Sequence, residues 1–295
     1  MSRKREHWGD RPDGVLLRDM DALHTITAII YPNRCDNEGY IHERLDLTAV
    51  NEYLAAKNAG EPEYKYNLFQ VIVAALAKII TLRPMLNRFI VNGDFYQRKE
   101  LTLAFVVKRR FADGAEEGLA VLHISPDDTI DTIHEMIRRE IFSARSSTVT
   151  DSTESTLNGF NRLPRWIMKA GVRFVMMLDK HGRVPPSFID HDPYYCSAVL
   201  SNVGSIGMKS GYHHLTNWGT CSLFCLIGEA KMLPVTASDG TAVPRMAVDI
   251  GLTIDERLAD GYYYSKTLRL LRHLIEHPEL LEQPMTTEEA EYYDD

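Results

Sequence analysis

A chain of 295 residues, 44% hydrophobic and 25% charged, carries enough apolar material for a sizeable buried core, in one large domain or two small ones. A formal net charge of −8 argues against generic nucleic-acid binding, which draws on clustered Lys and Arg. No apolar run approaches the ~18 residues that would span a bilayer. Part of the charge is local, because the segment from Glu279 to Asp295 is acidic and reads as a solvated chain end. The start, Met1 to Arg18, lacks both the apolar run of a secretory signal and the acid-poor composition of a transit peptide. Cys35, Cys196, Cys221 and Cys225 form no CxxC pair and no metal-finger spacing, so buried thiols are expected rather than a metal site or a disulfide. Cys221 and Cys225, four apart in an apolar run, are expected on one face of a strand. A reducing cytoplasm fits these features.

In chain order, the β-branched run Leu23 to Tyr31 predicts a strand. Asp46-Leu47-Thr48 predicts a capped amphipathic helix that stops at Gly60. A second helix, Asn67 to Leu82, is apolar almost all the way round and therefore expected to be buried, with Pro84 just past its end. Phe89 to Val91 and Phe95 to Arg98, joined at Asn92-Gly93, predict a β-hairpin. Strands follow at Leu101 to Arg109 and Gly118 to Ile124, then a helix from Thr129 to Phe142 capped by Asp127 or Asp128, then a Ser/Thr-rich loop from Ser143 to Asn158. Leu163 to His181 opens with a Pro, ends at Gly182, and alternates large apolar residues with Arg165, Lys169, Arg173 and Lys180. Such a basic amphipathic helix lies on a membrane, covers a groove or packs on another subunit; packing within the molecule or on a subunit is the preferred expectation, and membrane contact is not expected. Strands within Cys196 to Gly207, Thr220 to Lys231 and Arg245 to Asp255, then a last helix from Gly261 to Ile275, complete a mixed order that suits a single layered α/β domain over residues 1–285, with an acidic tail at 286–295.

The stretch VDIGLTIDERLADGYYYSKTLRLLRHLIEHPELL, Val248 to Leu281, resembles the catalytic domain of the dihydrolipoyl acyltransferases of 2-oxoacid dehydrogenase complexes. There a strand leads into a His-Arg-x-x-Asp-Gly motif and then a helix ending near an acidic-Pro-Glu-Leu-Leu sequence. VLSNVG, Val199 to Gly204, resembles that family's Thr-Ile-Ser-Asn-Leu-Gly, and LFQVIVAALAKIITLRPMLN resembles its buried helix. The resemblance covers most of Asn67 to Leu281 in order. It implies a chloramphenicol acetyltransferase-like fold with a mixed sheet and flanking helices, and a homotrimer whose active sites lie between subunits. Coenzyme A or acyl-CoA is the implied substrate, with a small thiol, hydroxyl or amine as acyl acceptor, and neither a metal nor a lipoyl group on this chain. No lipoyl domain or swinging Ala/Pro linker is recognisable, so a standard core subunit of a dehydrogenase complex is not expected.

Carried over by position, the resemblance assigns Ser201 to the oxyanion, Arg257, Asp260 and Gly261 to the structural motif, and Glu256 to the place of the catalytic histidine. Asn202 and Gly204 fall in the substrate-side turn, and Arg34 is the expected N-terminal arginine partner of Asp260. The glutamate is the departure. An exposed carboxylate is ionised but a feeble base toward an alcohol or thiol, whereas burial in an apolar channel would raise its pKa into a useful range. A degenerate, non-catalytic relative that serves as a trimeric binding or scaffold protein is the alternative reading. His213-His214 offers a replacement base, with Glu256 orienting it as a carboxylate does in a triad. On a strand, at most one of the two would reach a given channel. Ser201, Asn202 and Gly204 also have a plainer reading as turn residues, the histidines as surface residues, and Tyr262 to Tyr264 as packing.

Overall fold

The spine of the fold is one long strand, β10 (Ala242–Asp255). On one edge it pairs antiparallel with β2 (Glu38–Asp46), from Asp46 opposite Ala247 to Glu38 opposite Asp255. On the other edge it pairs first with β9 (Lys231–Thr236) and then with β8 (Leu223–Ile227). The computed structural model describes residues 7–108, 117–146, 164–236 and 239–288. Within them the large sheet runs β2-β10-β8-β7-β5-β6, where β7 is Ala198–Asn202, β5 Leu101–Lys108 and β6 Glu117–Ile124. The β5–β7 and β7–β8 pairings are parallel and the rest antiparallel, which makes the sheet mixed. A small sheet, β1 (Gly14–Leu16), β4 (Asp94–Arg98) and β3 (Arg88–Val91), sits beside it. Its β3–β4 turn is the expected Asn92-Gly93, with both residues at positive φ.

One face of the large sheet is covered by α2 (Thr48–Lys57), α3 (Leu68–Leu82), α4 (Ile130–Ser146) and α7 (Gly261–Glu276), which enclose the main core. The helix α3 is central, and every residue from Gln70 to Ile80 is buried. Its start is fixed by a capping box in which Asn67 accepts from the Gln70 backbone and Gln70 accepts from the Asn67 backbone. Each fully buried Leu or Ile there contributes roughly 1.5–3 kcal/mol. Lys78 reaches its length across to donate to the carbonyls of Leu280 and Pro284, at 3.2 Å each. The cap of α4 is Thr129, whose hydroxyl accepts from the Asp131 N–H; Asp128 instead accepts from the Ser125 N–H. Residues 143–146, expected in a loop, extend α4, and 147–158 lie outside the described residues.

Two further expectations are corrected. Leu23 to Tyr31 is a helix, α1 (Ala22–Ile30), not a strand. Asp21 caps it by accepting from the His24 N–H, and the hydroxyls of Thr25 and Thr27 bond back to carbonyls one turn earlier, so the β-branched residues are accommodated. Cys221 and Cys225 do not share a face. The strand begins only at Leu223, so Cys221 joins a small cluster with Cys196 and Phe224 while Cys225 enters the main core. All three are buried, as expected of structural thiols, and Cys35 is half-buried. The basic amphipathic helix forms as expected, as α5 (Arg165–Lys180); none of its residues is fully buried, and Leu178 packs against the cluster of Val184, Ile189 and Tyr195. A short helix, α6 (Pro186–His191), follows it.

Candidate active site

Strand β7 ends at Ser201-Asn202 and turns at once into a single 3-10 turn, Val203–Ile206. Asn202 shapes that turn, its side chain accepting from the Ser205 N–H at 3.2 Å and its carbonyl from the Ser205 hydroxyl at 2.7 Å. Gly204 is required by close approach, because a Cβ there would lie 2.2 Å from the Gly228 carbonyl oxygen. Asn202 and Gly204 thus build the turn that aims Ser201. Ser201 is half-buried, and its hydroxyl forms no hydrogen bond among the described residues. It lines a cavity of about 550 Å³ together with Phe69, Phe105, Ser205, His213 and Phe224.

His213 and His214 lie in an irregular segment rather than a strand, so both can turn the same way. Their rings stack 4.5 Å apart, and His213 also stacks on Phe224 at 4.2 Å. His213 Nδ1 lies 2.9 Å from the His214 carbonyl. A carbonyl can only accept, so Nδ1 donates, which in the neutral form of an imidazole puts the lone pair on Nε2. A second cavity of about 390 Å³ is lined by both histidines, Thr216, Phe224 and Cys221. Cys221 is the more acidic of two buried thiols: the neighbouring Cys196 thiol hydrogen-bonds to it, with Arg98 and Arg34 adding positive charge, and its pKa comes down to about 7. Burial pushes that of Cys196 well up.

The motif at the end of β10 is arranged around Asp255, which is fully buried. Arg257 grips it in a fork, Nε to Oδ1 at 2.8 Å and a terminal nitrogen to Oδ2 at 2.6 Å, and uses its other terminal nitrogen to donate to the Tyr31 carbonyl. Arg34 lies with its Nε 3.8 Å from the same carboxylate and donates to the carbonyls of Thr216 and Gly219. Burial lowers the Arg34 pKa from its ordinary value, and Asp255 opposes that shift. The expected partnership of Arg34 with Asp260 is therefore corrected to Asp255. Asp260 caps α7 by accepting from the Tyr263 N–H at 2.7 Å. Gly261 opens that helix with nothing within 4 Å of an added Cβ, so the turn does not demand glycine. Tyr264 is buried and donates its hydroxyl to the Asp255 carbonyl, while the Tyr263 ring lies beneath Arg83 at 3.9 Å, as packing residues do.

Glu256 follows Asp255 in a short 3-10 turn, where its N–H donates to the Asn37 carbonyl. Its side chain is exposed and lines neither cavity. Among the described residues, neither cavity gives Glu256 the apolar channel that would make it a strong base. Residues 34–38 tie this end of β10 to the histidine segment: Arg34 holds Thr216 and Gly219, the Cys35 thiol donates to the Leu215 carbonyl, and Glu38 accepts from the Leu215 N–H. So the structure brings Ser201 and His213 to one cavity and leaves Glu256 outside it. Sequence reasoning missed Asp255, although a carboxylate at the end of an apolar strand, two residues before an arginine, was a usable signal.

Residues 196–282 match the family model described as 2-oxoacid dehydrogenases acyltransferase (catalytic domain). No curated protein matches the chain. Among solved structures, a probable dihydrolipoamide acetyltransferase from Listeria monocytogenes 4b F2365 superposes with a TM-score of 0.58 at 15% identity, over 91% of this chain and 95% of that one. The cubic core of the pyruvate dehydrogenase multienzyme complex gives 0.58 at 15% over 90% and 93%. The dihydrolipoamide acetyltransferase of Azotobacter vinelandii gives 0.57 at 15% over 90% and 93%. At this identity the likeness establishes the fold, and the fold class expected from the sequence is the one observed. The resemblance to the 2-oxoacid dehydrogenase acyltransferases thus extends from the C-terminal motifs to the architecture of the chain.

Proposed function

We propose that the chain is a coenzyme-A-dependent acyltransferase that moves an acetyl or similar acyl group to a small thiol, hydroxyl or amine acceptor in the cavity lined by Ser201 and His213. The observation that carries this reading is the pairing in one cavity of a serine hydroxyl that has no hydrogen bond among the described residues with an imidazole whose Nδ1 is already committed to a carbonyl. His213 Nε2 takes the proton from the acceptor as it attacks the thioester carbonyl. The Ser201 hydroxyl donates to the oxyanion of the tetrahedral intermediate. Collapse expels coenzyme A as the thiolate, which recovers the proton from the His213 imidazolium, so the enzyme returns to its starting state. Resemblance supports a homotrimer, and the exposed apolar face of α1, with Leu23, Ile26 and Ile30, is the kind of surface a subunit contact covers.

Exposure argues against Glu256 as the base unless a neighbouring subunit buries it. One experiment separates the readings: thiol release from acetyl-CoA with dihydrolipoamide, then with small alcohols and amines, for wild type, Glu256→Gln and His213→Gln. The expected result is turnover in wild type, a loss of about 10²–10⁴-fold in His213→Gln, and near-normal turnover in Glu256→Gln. The reverse order would make Glu256 the base. Absence of turnover with every acceptor would favour a binding or scaffold relative of the same fold.

A further inference from the structure

The helix α5 is the largest feature that the proposed chemistry leaves unused. At 100° per residue, Trp166, Ala170, Phe174 and Met177 fall on one strip, and Arg165, Lys169, Arg173 and Lys180 on the strip beside it. The apolar strip is open to solvent: Trp166 is 72% exposed, Phe174 58% and Met177 46%. The flanks of the two strips anchor the helix: Leu178, beyond Phe174, packs against Val184, Ile189 and Tyr195, and Val175, Met176 and the stem of Lys180 line a narrow groove with Ile90 and Val91. Asp179, the helix's one acid, is turned toward the body and bound by Arg11 through both its carbonyl and its carboxylate. The outward surface therefore carries four cations and no acid on a chain whose net charge is −8.

We propose that α5 is an interfacial anchor that lays its Trp166–Phe174–Met177 strip on an anionic lipid bilayer. Lys and Arg beside an apolar strip extend their charged ends to lipid headgroups while their stems lie along the acyl boundary, and Trp suits the same depth. A second copy of the chain is a poorer fit. An antiparallel two-fold contact through α5 would set the cationic strips against each other, and a parallel one would leave each strip facing solvent without a counter-charge from α5. The other exposed apolar helix, α1, has no acid between Ala22 and Ile30 and would leave the four cations unpaired.

The test is flotation of the full chain with vesicles of phosphatidylcholine alone and with added phosphatidylglycerol, at low and high salt, alongside light scattering for mass. Wild type is expected to float with the anionic vesicles at low salt and not with the neutral ones. Lys169→Gln/Arg173→Gln removes two cations and should weaken partitioning about thirtyfold. Trp166→Ser/Phe174→Ser should abolish it, and since these side chains are exposed, both variants should keep the wild-type melting curve. Failure of wild type to float with anionic vesicles would overturn the proposal, as would flotation undiminished in both variants. A change of mass in the variants without any flotation would assign the strip to a second copy instead. Retention on an acidic peptide column without flotation would assign it to an acidic protein, and either result would refute lipid docking.

Discussion

Replacing Asp255 by Asn removes one charge from the centre of the motif without changing its shape. In the native chain the carboxylate receives two charge-assisted hydrogen bonds from Arg257, at 2.8 and 2.6 Å, and has Arg34 Nε at 3.8 Å. All three side chains are buried, so the neutral amide leaves two guanidinium groups in a low-dielectric region without a counter-charge. Breaking a buried ion pair from one side costs about 3–5 kcal/mol. For 295 residues, an unfolding entropy near 2.1 cal/mol/K per residue turns that loss into a fall in melting temperature of about 5–8 °C. A second effect reaches the site, because Arg34 also holds the carbonyls of Thr216 and Gly219 in the segment that presents His213. Calorimetry at fixed protein concentration measures the first effect and acyl-transfer kinetics the second. A variant that melts within about 2 °C of wild type would refute the view that Asp255 anchors this end of β10.

Three further perturbations test other parts of the structure. Gly204→Ala would press a methyl group to 2.2 Å from the Gly228 carbonyl oxygen, a backbone atom that cannot rotate away. It should cost about 1–3 kcal/mol in a thermal melt and lower turnover by displacing Ser201. Gly171→Ala, in mid-α5 with nothing within 4 Å of the new atom, should instead raise stability by about 0.5–1 kcal/mol. His134 is buried, with Tyr66 stacked on its ring at 3.9 Å, and burial lowers its pKa below the ordinary 6.5. The unfolded chain then binds the proton more readily, so the stability this residue contributes is complete above about pH 6.5 and is lost as pH falls through the folded pKa. Between pH 7.5 and 5.5 the melting temperature of wild type should fall further than that of His134→Phe; parallel falls would remove His134 from the acid response.

Elements that announce themselves locally were legible in the sequence. The extent of α3, its uniform apolarity and the Asn92-Gly93 turn each follow from a few residues, and the structure agrees with them, whereas α2 starts after Leu47 without a side-chain cap from that residue, Asp46 accepting from the Thr48 N–H. The run from Leu23 to Tyr31 misleads because β-branched residues describe side-chain stiffness, while Asp21 and the back-bonding threonines decide the backbone. Cys221 misleads for a different reason: alternation predicts a face only inside a strand, and β8 starts two residues later. The site divides along the same line. Ser201, Arg257 and Asp260 could be placed by their position in a motif, but a motif specifies order along the chain rather than contact. That is why Arg34 was paired with the aspartate before Gly261 instead of the buried one at Asp255, 221 residues from Arg34 in sequence. It is also why Glu256, in the position of a histidine, stands first as candidate base and His213 only as its replacement. An imidazole in an irregular segment has no period to place it, and the contacts that distinguish His213, a carbonyl at its Nδ1 and a cavity shared with the serine that a glycine-dependent turn positions, are visible only in three dimensions.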